Sequence, residues 1–150
     1  YMAGSLRVYA QRKLYRNRHI KTKTFGLKKI IQFEKNMKII KRRINDFICK
    51  MKSQNRIIAG VGAATKGNTL LNYCNLTSKH IDFILDKSKL KIGKYTPGSC
   101  IKIVDEDRYK NFQALIILPW NISNFLIKKF VKKTRKPYIS VQNIVKKLKK

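Results

Sequence analysis

The longest hydrophobic pattern in the chain runs from residue 27 to residue 52. Apolar side chains recur there every three or four positions, a spacing that places them on one face of an α-helix. The positions are Leu27, Ile30, Phe33, Met37, Ile40, Ile44, Phe47 and Met51. We therefore predict one long amphipathic helix. Its apolar face is expected to pack against its own domain, and binding at a membrane surface is the alternative.

After residue 55 the pattern changes to short apolar runs that alternate with helical stretches. The predicted strands are 56–59, 81–85, 101–104, 114–118 and 137–141. The first predicted helix is 65–75, and a short helix is predicted from Asp105 as N-cap to Phe112. A third helix is predicted from an Asn121 or Ser123 cap to about residue 133, and the tail 142–150 is compatible with a further helix. Such alternation predicts βαβ units, and hence an α/β fold with a parallel sheet and right-handed crossovers.

The residues before the long helix carry a weaker pattern. Residues 4–10 alternate as a short strand would, and residues 11–26 are basic and polar without a period, as in a loop. The predicted order is thus a short strand, the long helix and then the α/β body.

The net charge of +29, from 36 Lys+Arg against 7 Asp+Glu, predicts nonspecific attraction to polyanions. The basic residues are scattered, without an arginine-rich block or an aromatic RNA-binding motif, so a dedicated nucleic-acid protein is an alternative only. At 150 residues and 43% hydrophobic, the chain is long and apolar enough for about one globular domain.

The number and spacing of the cysteines and histidines favour neither a metal site nor a disulfide. Cys49, Cys74 and Cys100 are widely spaced, and His19 and His80 stand alone, so no metal site is predicted. Reduced thiols fit a cytoplasmic protein. The longest apolar run is far shorter than the ~20 residues of a membrane span, and no span is predicted.

The strongest local signal for ligand binding is Gly-Val-Gly-Ala-Ala-Thr-Lys-Gly-Asn at residues 60–68. It follows a predicted strand and opens a predicted helix, where glycines allow close backbone approach and the helix N-terminus attracts an anion. Thr65 breaks the dinucleotide-binding pattern G-x-G-x-x-G. A glycine turn that only packs strand against helix is the alternative. The candidate binding residues are Gly60, Gly62, Lys66, Gly67 and Asn68.

Three further candidates follow predicted strands, at the edge where ligands bind in open parallel sheets. Asp86 is placed to accept hydrogen bonds from a ribose or sugar hydroxyl. Trp120 offers a ring for stacking, and Asn121 offers an amide. The alternatives are a turn or cap role for Asp86 and a core role for Trp120.

These same residues resemble a known family. Residues 60–74 are similar to the segment G-x-G-A-A-A-K-G-N-T-L-L-N-Y-C, and Asp86 with residues 91–95 and 97–98 resembles the loop D-x-N-x-x-K-x-G-x-x-x-P-G. Leu-Pro-Trp-Asn at 118–121 is similar to the motif L-P-W-N. The family is the C-terminal domain of SAM-dependent C-methyltransferases acting on nucleotide-linked deoxysugars.

The resemblance implies a Rossmann-like domain, residues 27–150, that helps bind a nucleotide sugar. Residues 1–26 resemble the end of the methyltransferase core plus a linker, but Met2 and Ala3 stand where the family has His and Gly. S-adenosylmethionine (SAM) and zinc are expected only in regions upstream, and no catalytic residue is assigned here. The chain is therefore expected to be a fragment or split subunit, inactive alone, that works with a methyltransferase core chain.

Three alternatives remain open at this stage. One is a nucleotide- or NAD-binding module of another class, for which a dinucleotide would be the preferred ligand. The second is a basic nucleic-acid-binding protein, whose affinity would fall steeply with salt. The third is a decayed remnant without activity.

Overall fold

The sheet at the centre of the protein has five strands, all parallel to their neighbours. A computed structural model describes residues 26–148. The strands are β1 (Ile58–Val61), β2 (Phe83–Asp86), β3 (Ile103–Asp105), β4 (Ala114–Ile117) and β5 (Tyr138–Ser140). Their order across the sheet is β3-β2-β1-β4-β5. The predicted α/β, Rossmann-like architecture is confirmed, and the strand order reverses between β1 and β4.

The sheet is covered by helices on both faces. The main helices are α1 (Leu27–Lys52), α2 (Thr65–Tyr73) and α5 (Val141–Leu148), which share one hydrophobic cluster. A second cluster on the other face includes Phe112, Leu126 and Phe130. Every residue of β1 and β4 is buried, as expected for central parallel strands, and this explains their unbroken apolar runs.

The predicted long helix is confirmed as α1, but only its C-terminal half packs against the body. Ile40, Ile44, Ile48 and Met51 are buried, whereas Leu27 and Phe33 are 70% and 66% exposed. A helix of 26 residues is about 39 Å long, far longer than strands of three or four residues, which span about 13 Å. The prediction that the whole apolar face is covered by the domain is therefore wrong for the first three turns.

The chain from residue 120 to 134 is helical, as predicted, but irregular. It passes from a 3₁₀ turn (Trp120–Ile122) through α3 (Ser123–Leu126) and a π-helical turn (Ile127–Val131) to α4 (Lys132–Thr134). No side chain caps the start, so the predicted Asn121 or Ser123 cap is wrong. The Ser123 hydroxyl is buried and bonds to Gln142 of α5 instead.

The predicted helix 105–112 does not form. Asp105 is the last residue of β3, and turns follow it. Its carboxylate accepts the N–H of Asp107 at 2.9 Å, two residues along the chain, which is the local bond that favours a turn over a helix. The predicted C-terminal helix is confirmed as α5. The predicted strand 4–10 and most of the loop 11–26 lie outside the described residues.

Candidate functional site

The turn after β1 lies at the edge of the sheet where the strand order reverses. Gly62 has a φ of +87°, and its N–H donates to the Leu85 carbonyl at 2.8 Å. An added Cβ at Gly62 would lie 2.7 Å from Cγ of Pro119, the residue that follows β4 and Leu118. The turn is therefore packed tightly between the ends of β2 and β4, and it requires glycine for both conformation and space.

The start of α2 follows directly from this turn. The N-cap residue is Ala64, and no side chain caps the helix or places an acidic group in its first turn. The free N–H groups and the positive end of the helix dipole at Thr65 and Lys66 are therefore available to an anion. This is the geometry that the sequence pattern predicts for the segment.

Gly60 and Gly67 are placed by the structure in packing positions. An added Cβ at Gly60 would clash with the Ile84 side chain inside the sheet. An added Cβ at Gly67 would lie 2.8 Å from Leu118 Cβ and 3.1 Å from the Gly62 carbonyl oxygen. Both glycines are buried and bring α2 close to the strand ends. This is the packing role that was the alternative to ligand binding for these glycines. Ligand contact by either residue stays a prediction.

Asp86, at the end of β2, is bonded to the turn itself. Its carboxylate accepts the Ala63 N–H and the Ser88 N–H, each at 2.8 Å. Lys91 donates to the Ala63 carbonyl at 2.8 Å and lies 3.7 Å from the Asp86 carboxylate. The Ala63 peptide is thus held on both sides. Because an ionised carboxylate has about four acceptor positions, a sugar contact by Asp86 remains a prediction.

Lys66 and Trp120 meet across the point of strand reversal, although they are far apart in sequence. The Lys66 Nζ lies 6.0 Å from the centroid of the Trp120 ring, at the outer limit of a cation–π contact. Trp120 is 37% exposed, so it does not fill the core, and Asn121 beside it is exposed. Both side chains are accessible to a ligand at this edge.

A cavity of about 300 Å³ lies between the turn and the loop that follows β2. Two of the predicted residues, Gly62 and Asn68, line it. Its other wall is a set of residues that the sequence reasoning did not select: Lys91, Lys94, Tyr95, Thr96 and Pro97. The K-x-G-x-x-x-P-G motif, which overlaps these positions, was the available signal.

The loop that forms this wall is anchored at several points. The Asn72 side-chain amide donates to the Pro97 carbonyl at 3.1 Å and to the Asn68 carbonyl at 2.9 Å, which ties the loop to α2. Tyr95 pairs with Lys102 in an antiparallel bridge. The cavity is therefore bounded by two segments whose backbones are fixed by hydrogen bonds.

The site is rich in positive charge. Lys66, Lys91 and Lys94 supply positive charge near the cavity and the start of α2. Within residues 26–148, no group of three His, Cys, Asp or Glu side chains is placed to hold a metal ion. No helix in the same range is long and apolar enough to cross a membrane. The positive charge is suited to binding an anion.

An open parallel sheet with a glycine turn, an uncapped helix and a cavity beside the reversal of strand order defines a Rossmann-like domain. The chain belongs to the C-methyltransferase C-terminal domain family, which matches residues 2–137. It is similar to the C-methyltransferase NovU of Streptomyces niveus, with 31% identity over 90 residues. That alignment covers 59% of this chain and 21% of NovU. The resemblance drawn from the motifs is confirmed.

Proposed function

We propose that this chain binds the nucleotide-linked sugar on which a SAM-dependent C-methyltransferase acts. The observation that supports this most directly is the uncapped start of α2 beside Lys66, at the edge where the strand order reverses between β1 and β4. A diphosphate is a dianion whose oxygens accept hydrogen bonds, and a helix N-terminus with an adjacent ammonium group complements both properties.

The proposed ligand extends along this edge. The diphosphate would lie at the start of α2 against Lys66 and the Gly62 turn. Trp120 and Asn121 would lie near the sugar, where an aromatic face and an amide can contact a ring and its hydroxyls. Because the carboxylate of Asp86 holds the Ala63 peptide, its main contribution would be to keep this turn in place.

The chemistry of methyl transfer is proposed to come from other parts of the enzyme, in the same chain or in a methyltransferase core chain. C-methylation beside a ketone needs a base that removes a proton, and SAM supplies the methyl group when it is bound. His80 is the single histidine among residues 26–148, and it bonds to Thr77 near the opposite, amino edge of the sheet. We therefore assign no catalytic residue here, and no group of three His, Cys, Asp or Glu side chains within residues 26–148 is placed to hold zinc.

The proposed compartment is the cytoplasm. Cys49, Cys74 and Cys100 are all free thiols, and two of them are exposed. Exposed free thiols persist where glutathione and thioredoxin keep them reduced.

A pair of lysine variants tests the anion site. Lys66→Ala should weaken binding of UDP-glucose or dTDP-glucose by about one to two powers of ten, because a hydrogen bond to a charged group contributes about 1.5–3 kcal/mol. The control is Lys79→Ala, an exposed lysine between α2 and β2 that lies toward the amino edge. At ~0.15 M salt the Debye length is ~8 Å, so this change should have little effect.

Isothermal titration calorimetry of the three proteins measures the effect. Equal weakening by the two substitutions would mean that the highly positive chain attracts anions diffusely, and the proposed site would be wrong. Salt dependence provides a second readout, because diffuse attraction to phosphates falls steeply with ionic strength.

A further inference from the structure

We propose that the cavity between the turn 62–68 and the loop 91–97 is the subsite for the nucleobase, and that Asn68 accepts a hydrogen bond from a base N–H group. This assignment rests on the proposed binding of a nucleotide sugar, and it fixes which end of that ligand enters the protein. Size, lining, one buried oxygen atom and the position of the charges carry it.

The size of the cavity selects one part of the ligand. Sites that enclose whole small molecules span about 300–1,000 Å³. At about 300 Å³ this cavity is at the lower limit, and it is too small for a base, two phosphates and a hexose together. One flat ring system is the part that fits.

The lining selects the base over the sugar or the phosphates. The inner wall is made by Leu71, Ile103 and Leu118, all of which are buried, and Tyr95 and Pro97 stand at the other side. Two polar groups of the wall are already engaged, because Lys91 donates to the Ala63 carbonyl and the Thr96 hydroxyl bonds to Ser99. A hexose or a diphosphate would therefore lose its water here without enough polar partners, at a cost of several kcal/mol. An aromatic base loses much less, and the Tyr95 ring, which is 60% exposed, is free to contact it.

The Asn68 side chain supplies the specific polar contact. Its Oδ1 is fully buried and accepts no hydrogen bond, the single case of this kind among the side chains that the structure describes. Asn72, one turn along the same helix, contrasts with it because its amide donates to two carbonyl groups. Asn68 lines the cavity, and a turn of its side-chain amide toward a ligand N–H would give Oδ1 the donor that it lacks.

The surrounding charges then orient the ligand. Lys66 and Trp120 are not part of the cavity wall, and they lie on the side toward β4. A base in the cavity therefore leaves the diphosphate at the start of α2 and the sugar directed toward Trp120. Lys91 and Lys94, in the wall of the cavity, favour the negatively charged ligand.

The test pairs a change in the ligand with a change in the protein. The probes are UDP, dTDP, GDP and ADP, and the tightest binder is compared with its base-methylated analogue (3-methyl for UDP or dTDP, 1-methyl for GDP, N6,N6-dimethyl for ADP). With the unmodified protein, methylation should weaken binding by about 5- to 150-fold, the effect of leaving a buried acceptor unpaired. With Asn68→Leu the same methylation should change affinity less than about threefold.

A second variant guards against loss of folding. Asn68→Asp keeps an acceptor oxygen in nearly the same volume, so it should retain the discrimination found with the unmodified protein. An equal effect of methylation in the unmodified protein and in Asn68→Leu would overturn the base assignment, as would loss of discrimination in a folded Asn68→Asp. If nucleotides bind and depend on Lys66 while methylation is indifferent to Asn68, only the base assignment fails. If none of the four nucleotides binds, the proposed function fails with it.

Discussion

Replacement of Gly62 and of Gly93 by alanine separates two reasons why a turn needs glycine. The two residues have almost the same backbone conformation, with φ of +87° and +84°. Their surroundings differ, because an added Cβ at Gly62 would lie 2.7 Å and 3.0 Å from Pro119 Cγ and Cδ, whereas at Gly93 no atom lies within 4 Å. Gly93→Ala is thus a matched control for backbone strain alone.

The expected magnitudes follow from these contacts. A left-handed conformation costs a residue with a Cβ about 1–2 kcal/mol, and this term applies to both variants. Overpacking against a buried proline ring adds about 1–3 kcal/mol at Gly62 alone. We expect Gly93→Ala to lower the free energy of unfolding by about 1–2 kcal/mol and Gly62→Ala by about 2–5 kcal/mol.

Urea denaturation followed by circular dichroism measures both values, provided that the dependence on urea concentration is equal in the variants. A third variant, Pro119→Ala, completes a double-mutant cycle with Gly62→Ala. In the Pro119→Ala background the added methyl group should cost about as much as it does at Gly93. If Gly62→Ala destabilises the protein no more than Gly93→Ala does, the close packing of the turn against the end of β4 is refuted.

Two further predictions concern Asp86 and Cys74. Asp86→Ala should lower the free energy of unfolding by about 1.5–3 kcal/mol in the same urea assay, because it removes charged acceptors from two backbone N–H groups; unchanged stability would contradict the clamp on Ala63. Burial raises the pKa of the Cys74 thiol to about 11, so at pH 8 it holds less reactive thiolate than usual. Iodoacetamide at pH 8 should label the exposed Cys49 and Cys100 well before Cys74, and mass spectrometry showing equal rates would argue against the buried position.

The sequence predicts the sheet and the turn well because their signals are local. The strands β1 and β4 are unbroken apolar runs, as buried parallel strands are, and the glycine turn indicates where α2 begins. The failed helix after Asp105 was also decided locally, since the Asp105 carboxylate bonds two residues ahead and stabilises a turn. A periodic pattern cannot reveal this competition.

The rest of the site depends on distances that the sequence does not contain. Its spacing places Asp86 at the end of a strand, but the Ala63 N–H that occupies its carboxylate comes from another strand's turn. The motif at residues 91–98 marks the loop but not its place in the cavity wall, because that place depends on the bond from Asn72 of α2 to Pro97. The periodicity of α1 is uniform, although the body that buries it covers only half of its length.

The position of β1 between β2 and β4 affects how the protein folds. Ile57 donates its N–H to the side chain of Gln113, 56 residues further along the chain, so the starts of β1 and β4 meet only when distant parts of the chain come together. Loops of this length must be closed before the contact contributes any stabilisation, which slows folding. The part of the site on the turn after β1 is synthesised early. It is completed by Trp120 and Asn121 only when β4 pairs with β1. Ligand binding would therefore report that β1 and β4 have come together.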